Sequence, residues 1–196
     1  MKPLPRFFVW LSRIHKCQGF GIQSPTDFDF VRSVVNEHDA YYAYDELQAD
    51  NWLQRKLGEL YFRVTNWRQP ATILTNDYQP WFQAGCRSAR ILTDLSPLTP
   101  SPSHLLTPSP SHLLTSSPSH LLNIARIEIE QHQLLDQLYA HCNQQSVIIV
   151  EGIWRDWQAW HAIEHDTRTG TTFDLYYCGI VFCDTQRYKH NYRINF

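Results

Sequence analysis

The sequence predicts an α/β domain with a mostly parallel sheet that ends in an antiparallel β-hairpin and is preceded by N-terminal helices. Short apolar segments alternate with helical patterns from residue 71 onward, as βαβ units require. Residues 1–69 contain helical periodicities and no strand pattern. Two strand-like segments, 171–184 and 188–196, close the chain, and a turn at residues 184–188 would join them as the hairpin.

Length and composition predict one domain over residues 1–196, because 43% of the chain is hydrophobic and 196 residues can form a substantial core. The net charge of −2 gives no basic footprint, so we expect neither a nucleic-acid nor a membrane partner. Residues 7–11 form an apolar patch too short for a signal peptide, which predicts a cytoplasmic protein.

The N-terminal helical segment, residues 1–69, contains three predicted helices. The first covers residues 7–15 and is amphipathic. Ser24 and Pro25 begin the second, whose apolar stripe comprises Phe28, Val31, Val34 and Val35. The third covers residues 45–66 and ends before Pro70.

Four buried strands are predicted at residues 71–74, 89–95, 125–130 and 146–153. Helices at 81–86, 132–142 and 154–165 connect them to one another and to the hairpin. The last helix carries a stripe of Trp154, Trp157 and Trp160, which we interpret as core packing.

Residues 98–122 are a low-complexity segment in which LTPSPSHL, LTPSPSHL and LTSSPSHL follow one another. Ser, Thr and Pro dominate each octapeptide, so we expect a surface loop that buries little. Its histidines, His104, His112 and His120, lack a fixed geometry for holding a metal.

Segments at both ends of the chain resemble one protein family. The N-terminal part contains GFGIQSP (19–25), FDFV (28–31), YYAY (41–44) and LYFRVTNWRQPATIL (60–74), and the C-terminal part contains SVIIVEGIWRDWQAW (146–160) and TFDLYYCGIVF (172–182). These segments resemble a bacterial group of class I S-adenosylmethionine-dependent, O-methyltransferase-like proteins. The resemblance covers about two-thirds of the chain and implies a Rossmann-like, three-layer methyltransferase fold that binds S-adenosylmethionine.

The middle of the chain departs from the family pattern where the cofactor would bind. The family has an acid and two glycines after the first strand, and such glycines let the backbone approach the cofactor closely. Here Thr75, Asn76 and Asp77 follow the strand, and the first glycine is Gly85. Tyr78 and Trp81 would place rings where the cofactor normally lies. We therefore expect S-adenosylmethionine binding to be weak or lost.

Three acids occupy positions that correspond to acidic residues of the family. Asp94 ends the second strand, where the family's carboxylate accepts the ribose hydroxyls, although a solvent-facing acid is the favoured interpretation. Glu151 stands where the family has paired acids, and a single carboxylate makes it a poor divalent-cation ligand, so we predict no metal site. Asp174 matches a family acid and is expected to be structural.

Two other patterns are weaker signals. His161, Glu164 and His165 match the H-x-x-E-H arrangement of some zinc peptidases, but the remaining 31 residues provide no helix for a third ligand. The five cysteines are scattered and predict ordinary thiols, with Cys178 and Cys183 on opposite faces of a sheet.

Two functions remain open, and no catalytic residue is assigned. The chain is either a working or vestigial S-adenosylmethionine-dependent methyltransferase or a non-catalytic relative that keeps the fold to bind a partner. Loss of the glycines and insertion of the repeats favour the second. Whether the ligand is a small molecule or a protein is left open by the sequence.

Overall fold

A computed structural model describes residues 6–96 and 121–196. The strands are β1 (Thr72–Leu74), β2 (Arg90–Leu92), β3 (Leu122–Glu128), β4 (Cys142–Glu151), β5 (Thr172–Asp174), β6 (Cys178–Phe182) and β7 (Asn191–Arg193). The helices are α1 (Arg6–Ser12), α2 (Pro25–Phe30), α3 (Ala43–Glu46), α4 (Trp52–Arg68), α5 (Gln79–Gly85), α6 (Leu135–His141) and α7 (Trp157–His165). Most of the octapeptide segment, residues 98–120, lies outside the described residues. The last residue of the predicted loop, Leu122, begins β3.

The seven strands form one sheet in the order β2-β1-β3-β4-β6-β5-β7. Among the described strands only β6 runs against the others, pairing antiparallel with both β4 and β5. The predicted α/β class with a mostly parallel sheet and an antiparallel hairpin is therefore confirmed.

The predicted position of the hairpin turn was wrong. The turn lies at residues 175–177 between β5 and β6, and β7 pairs in parallel with β5 instead of forming a hairpin arm. Tyr176 takes a left-handed conformation with φ of 73°, and its N–H donates to the Asp174 carboxylate over 2.8 Å. The turn was missed because it contains no Gly, Pro or Asn, the residues that usually mark turns.

Helices cover both faces of the sheet, and alternate strand residues belong to two separate cores. Ile149 faces α4 and the N-terminal segment, whereas Ile148 and Val150 face α6 and α7. Cys178 and Cys183 belong to different cores, which confirms that they lie on opposite faces of the sheet. Alternation of this kind follows from the period of two in a strand that is buried on both sides.

Several N-terminal boundaries differ from those predicted. The expected helix over residues 45–66 is split, because Asn51 caps α4 by accepting the N–H of Gln54 over 2.9 Å. Helix α2 continues into a π-helical turn over Val31–Val35, and Phe30 is buried in place of the exposed Phe28. No helix in the described ranges is both long and apolar enough to cross a membrane.

Candidate functional site

The loop that follows β1 makes its turn without glycine. Thr75 is buried, its N–H donates to the Leu92 carbonyl over 2.9 Å, and its hydroxyl donates to the Asp77 carbonyl over 2.6 Å. Tyr78 then takes the left-handed conformation with φ of 58° and is the N-cap residue of α5. This conformation is strained for a residue with a bulky side chain. The loop therefore contains a left-handed backbone conformation that is usually adopted by glycine, and the residue at that position is the aromatic Tyr78.

Arg126 lies at the centre of an ion-pair cluster at the carboxyl ends of β1, β3 and β4. Its guanidinium contacts Asp77 Oδ2 over 2.8 Å, Glu151 Oε2 over 2.6 Å, and Glu128. The Arg126 side chain is only 4% exposed, and the Tyr78 ring lies 5.3 Å from its guanidinium carbon. A buried cation is stable only when carboxylates and hydrogen bonds surround it, and this arrangement provides both.

Two tyrosines complete the cluster around Glu151. The Tyr61 hydroxyl donates to Glu151 Oε2 over 2.8 Å, and the Tyr78 hydroxyl reaches Glu151 Oε1 at 3.5 Å. Burial, reinforced by the charge of Glu151, raises the pKa of both phenols, so they remain protonated donors. Burial by itself would lower the pKa of Arg126, but Glu151 and its neighbours raise that pKa above its usual value. These hydrogen bonds leave Glu151 poorly placed to hold a metal ion.

A cleft of about 310 Å³ lies beside this cluster, between the ends of β1, β2 and β3. It is lined by three of the four predicted cofactor residues, Thr75, Asn76 and Asp94, together with Arg126. Asp94 is exposed, and its Oδ1 accepts the N–H of Ser96 over 2.8 Å. The fourth predicted residue, Asp77, does not line this cleft.

Asp77 instead faces a second cleft of about 380 Å³ near the start of α4. Tyr78, Glu151 and Arg126 also line this second cleft, so Arg126 forms part of the wall between the two. The predicted group of four is therefore divided by the Arg126 side chain. Three members are on one side of it, and Asp77 is on the other.

The expectation for Trp81 was wrong. Its indole packs in a separate aromatic cluster with Tyr44 and Phe62 and lines neither cleft. The ring rests on α4 at Gly58, where an added Cβ would come within 2.5 Å of the indole. Of the two rings expected in the cofactor position, Tyr78 alone lies beside the site.

The remaining candidates have structural partners. Asp174 binds the buried Arg13 through both carboxylate oxygens and also contacts Arg193. His161 contacts Glu164 over 2.7 Å, and His165 contacts the His161 carbonyl. No group of three or more metal-ligating side chains occurs in the described part of the chain. The cysteines at 86, 142, 178 and 183 are free thiols, while the Cys17 side chain lies outside the description.

Sequence reasoning missed the residues that dominate the site, Arg126 and Tyr61. One signal could have indicated Arg126, since it interrupts the apolar alternation of a buried strand and stands two residues before Glu128. Tyr61 offered no signal, because its place on the inner face of α4 is typical of a core residue. Comparison of the chain with protein-family models, curated proteins and solved structures found no match.

Proposed function

We propose that this chain is a methyltransferase-like protein in which the S-adenosylmethionine site is closed, and that it acts without catalysis by binding a partner. The sheet order supports the first part. Class I methyltransferases insert one antiparallel strand near the edge of an otherwise parallel sheet, and β6 occupies that position between β4 and β5. The additional strand β7 extends the sheet beyond that pattern.

The observation that carries the proposal is the Arg126 cluster. In this fold class the ligand binds outside the carboxyl ends of the parallel strands, near the first loop. Here that space holds Arg126, its three carboxylate partners and the Tyr78 ring. The carboxylates there are already paired with Arg126, so they are not free to bind the ammonium or sulfonium groups of S-adenosylmethionine. The residues present do not fit the methionine half of the cofactor.

The adjacent 310 Å³ cleft retains groups suited to a ribose, but they provide too little binding energy. Asp94 could contribute about 1.5–3 kcal/mol through charged hydrogen bonds. A complex with a dissociation constant of about 1 mM already requires about 4 kcal/mol. We therefore assign no methyl-transfer step to this chain.

The test is titration calorimetry of the whole chain with S-adenosylmethionine and with its demethylated product. We expect no dissociation constant below about 1 mM, and no methyl transfer to catechols or small carboxylic acids. Asp94→Ala is the matched control and should give the same result as the unmodified chain. Micromolar binding that Asp94→Ala abolishes would contradict the proposal and restore the enzyme hypothesis.

A further inference from the structure

Helix α1 has the reverse of the usual amphipathic arrangement. The protein-facing side chains here are Val9 in the helix and Arg13 directly after it, which are 4% and 5% exposed. Four large apolar residues of the helix, and Ile14 shortly after it, are 38–63% exposed and are here called the N-terminal apolar face: Phe7, Phe8, Trp10, Leu11 and Ile14. A helix on a protein surface normally buries such residues and exposes its charges.

The buried ion pair below α1 keeps this face outward. Arg13 donates to both carboxylate oxygens of Asp174 over 2.8 and 2.9 Å and also to the carbonyls of Asp174 and Ile194. On a helical wheel Leu11 lies nearly opposite Val9, whereas Phe7 and Trp10 border a cleft of about 570 Å³ that Val9 also lines. Turning the apolar side inward would therefore separate Arg13 from the buried carboxylate of Asp174.

Exposed apolar side chains are concentrated in this part of the molecule. Seven of the eleven large hydrophobic residues exposed in the described ranges lie between residues 7 and 28. Isolated exposed apolar residues are normal, whereas a cluster of this kind marks an interaction surface.

The distribution of charge indicates what the face contacts. Residues 1–26 contain Lys2, Arg6, Arg13 and Lys16 and no acid, while the rest of the chain has 13 basic and 19 acidic residues. The net charge of −2 therefore conceals a positive N-terminal segment in a negative protein. Arg13 is neutralised by Asp174, which leaves Lys2, Arg6 and Lys16 as the other basic residues of this sequence segment.

We propose that the N-terminal apolar face docks the protein on an anionic phospholipid surface. Phe, Trp and Leu flanked by Lys and Arg are the composition of helices that lie in the bilayer interface. The helix is short, so it would enter the headgroup region and would not span the bilayer. Two copies meeting symmetrically through this face would bring like charges together, which disfavours a second copy as the occupant.

The experiment is vesicle flotation of the full chain, with vesicles of phosphatidylglycerol compared with vesicles of phosphatidylcholine. We expect flotation with the first, weaker flotation with the second, and loss of the difference at high salt. The test variant is the double substitution Phe8→Ser with Leu11→Ser, whose side chains are exposed and do not line the clefts described above. It should weaken binding by at least about tenfold.

The matched control is Tyr42→Ser with Tyr188→Ser, which removes two aromatic rings that are at least 90% exposed and lie outside the segment. The control should float like the unmodified chain, and circular dichroism should show that both variants are folded. Absence of flotation, or equal flotation of the test variant, would overturn the proposal. If the unmodified chain were a dimer in buffer and the Phe8→Ser with Leu11→Ser variant were a monomer, the proposal would be overturned in favour of a second copy. None of these substitutions touches Arg126, so the result is independent of cofactor binding.

Discussion

Helices α1 and α7 are both short and amphipathic, yet they present opposite sides to the protein. Helix α7 buries Trp160 and Ile163 against the sheet and exposes His161 and His165. Helix α1 exposes its aromatic residues, and Arg13, which directly follows the helix, is buried. The amphipathic pattern of a helix therefore does not determine which side faces inward. Which side faces inward depends on the chemistry of the surface against which the helix packs.

The two packing surfaces differ in chemistry. Below α7, Gly179 of β6 leaves room for the Trp160 indole, because an added Cβ would come within 2.2 Å of the ring. Below α1, the buried carboxylate of Asp174 needs a cation. The apolar space above Gly179 is therefore filled by the Trp160 ring, whereas the buried charge of Asp174 is paired with Arg13.

Removal of the charge below α1 should have the largest effect on stability. Asp174→Ala leaves Arg13 buried without a carboxylate and removes the acceptor of the Tyr176 N–H. We expect a loss of about 3–5 kcal/mol in the free energy of unfolding. Urea denaturation measures it, with Asp94→Ala as the control at an exposed acid. A loss below about 1 kcal/mol would show that the pair does not hold α1 in place.

Removal of the ring below α7 should have a similar but smaller effect. Trp160→Ala should cost about 3 kcal/mol, near the lower limit for a buried aromatic, because the Trp160 Nε1–H has no hydrogen-bond partner among the described residues and its loss relieves an unpaired donor. Thermal unfolding measures the effect. The half-buried Trp157 is the comparison, and Trp157→Ala should cost clearly less. Equal losses at both positions would mean that the tryptophan stripe is buried as a unit.

Substitution on the outward side of α1 should have the smallest effect. Phe8→Ser removes a ring that is 57% exposed, so the stability change should stay within about 0.5 kcal/mol. Urea denaturation of the single variant beside Tyr42→Ser measures the difference. A loss of 2 kcal/mol or more, by this order-of-magnitude argument, would show that the face packs within the protein.

The candidate site could be predicted only in part from the sequence. Thr75, Asn76 and Asp94 follow strands whose carboxyl ends lie together in a parallel sheet, and the structure places all three along one cleft. The separation of Asp77 from them was not predictable. It depends on Arg126, which is 49 residues away in the sequence and reaches Asp77 from the neighbouring strand β3.

The sequence by itself determined the α/β class, the alternation of buried strands with helices, and the absence of glycine from the first loop. These properties are local, since they depend on apolar periodicity and on which residues permit a given backbone conformation. Tertiary structure decided the position of the hairpin turn, the partners of Arg126 and the outward orientation of the α1 apolar side. Each of these depends on charges or hydrogen bonds between residues that meet only after folding, as Arg13 and Asp174 do across 161 positions.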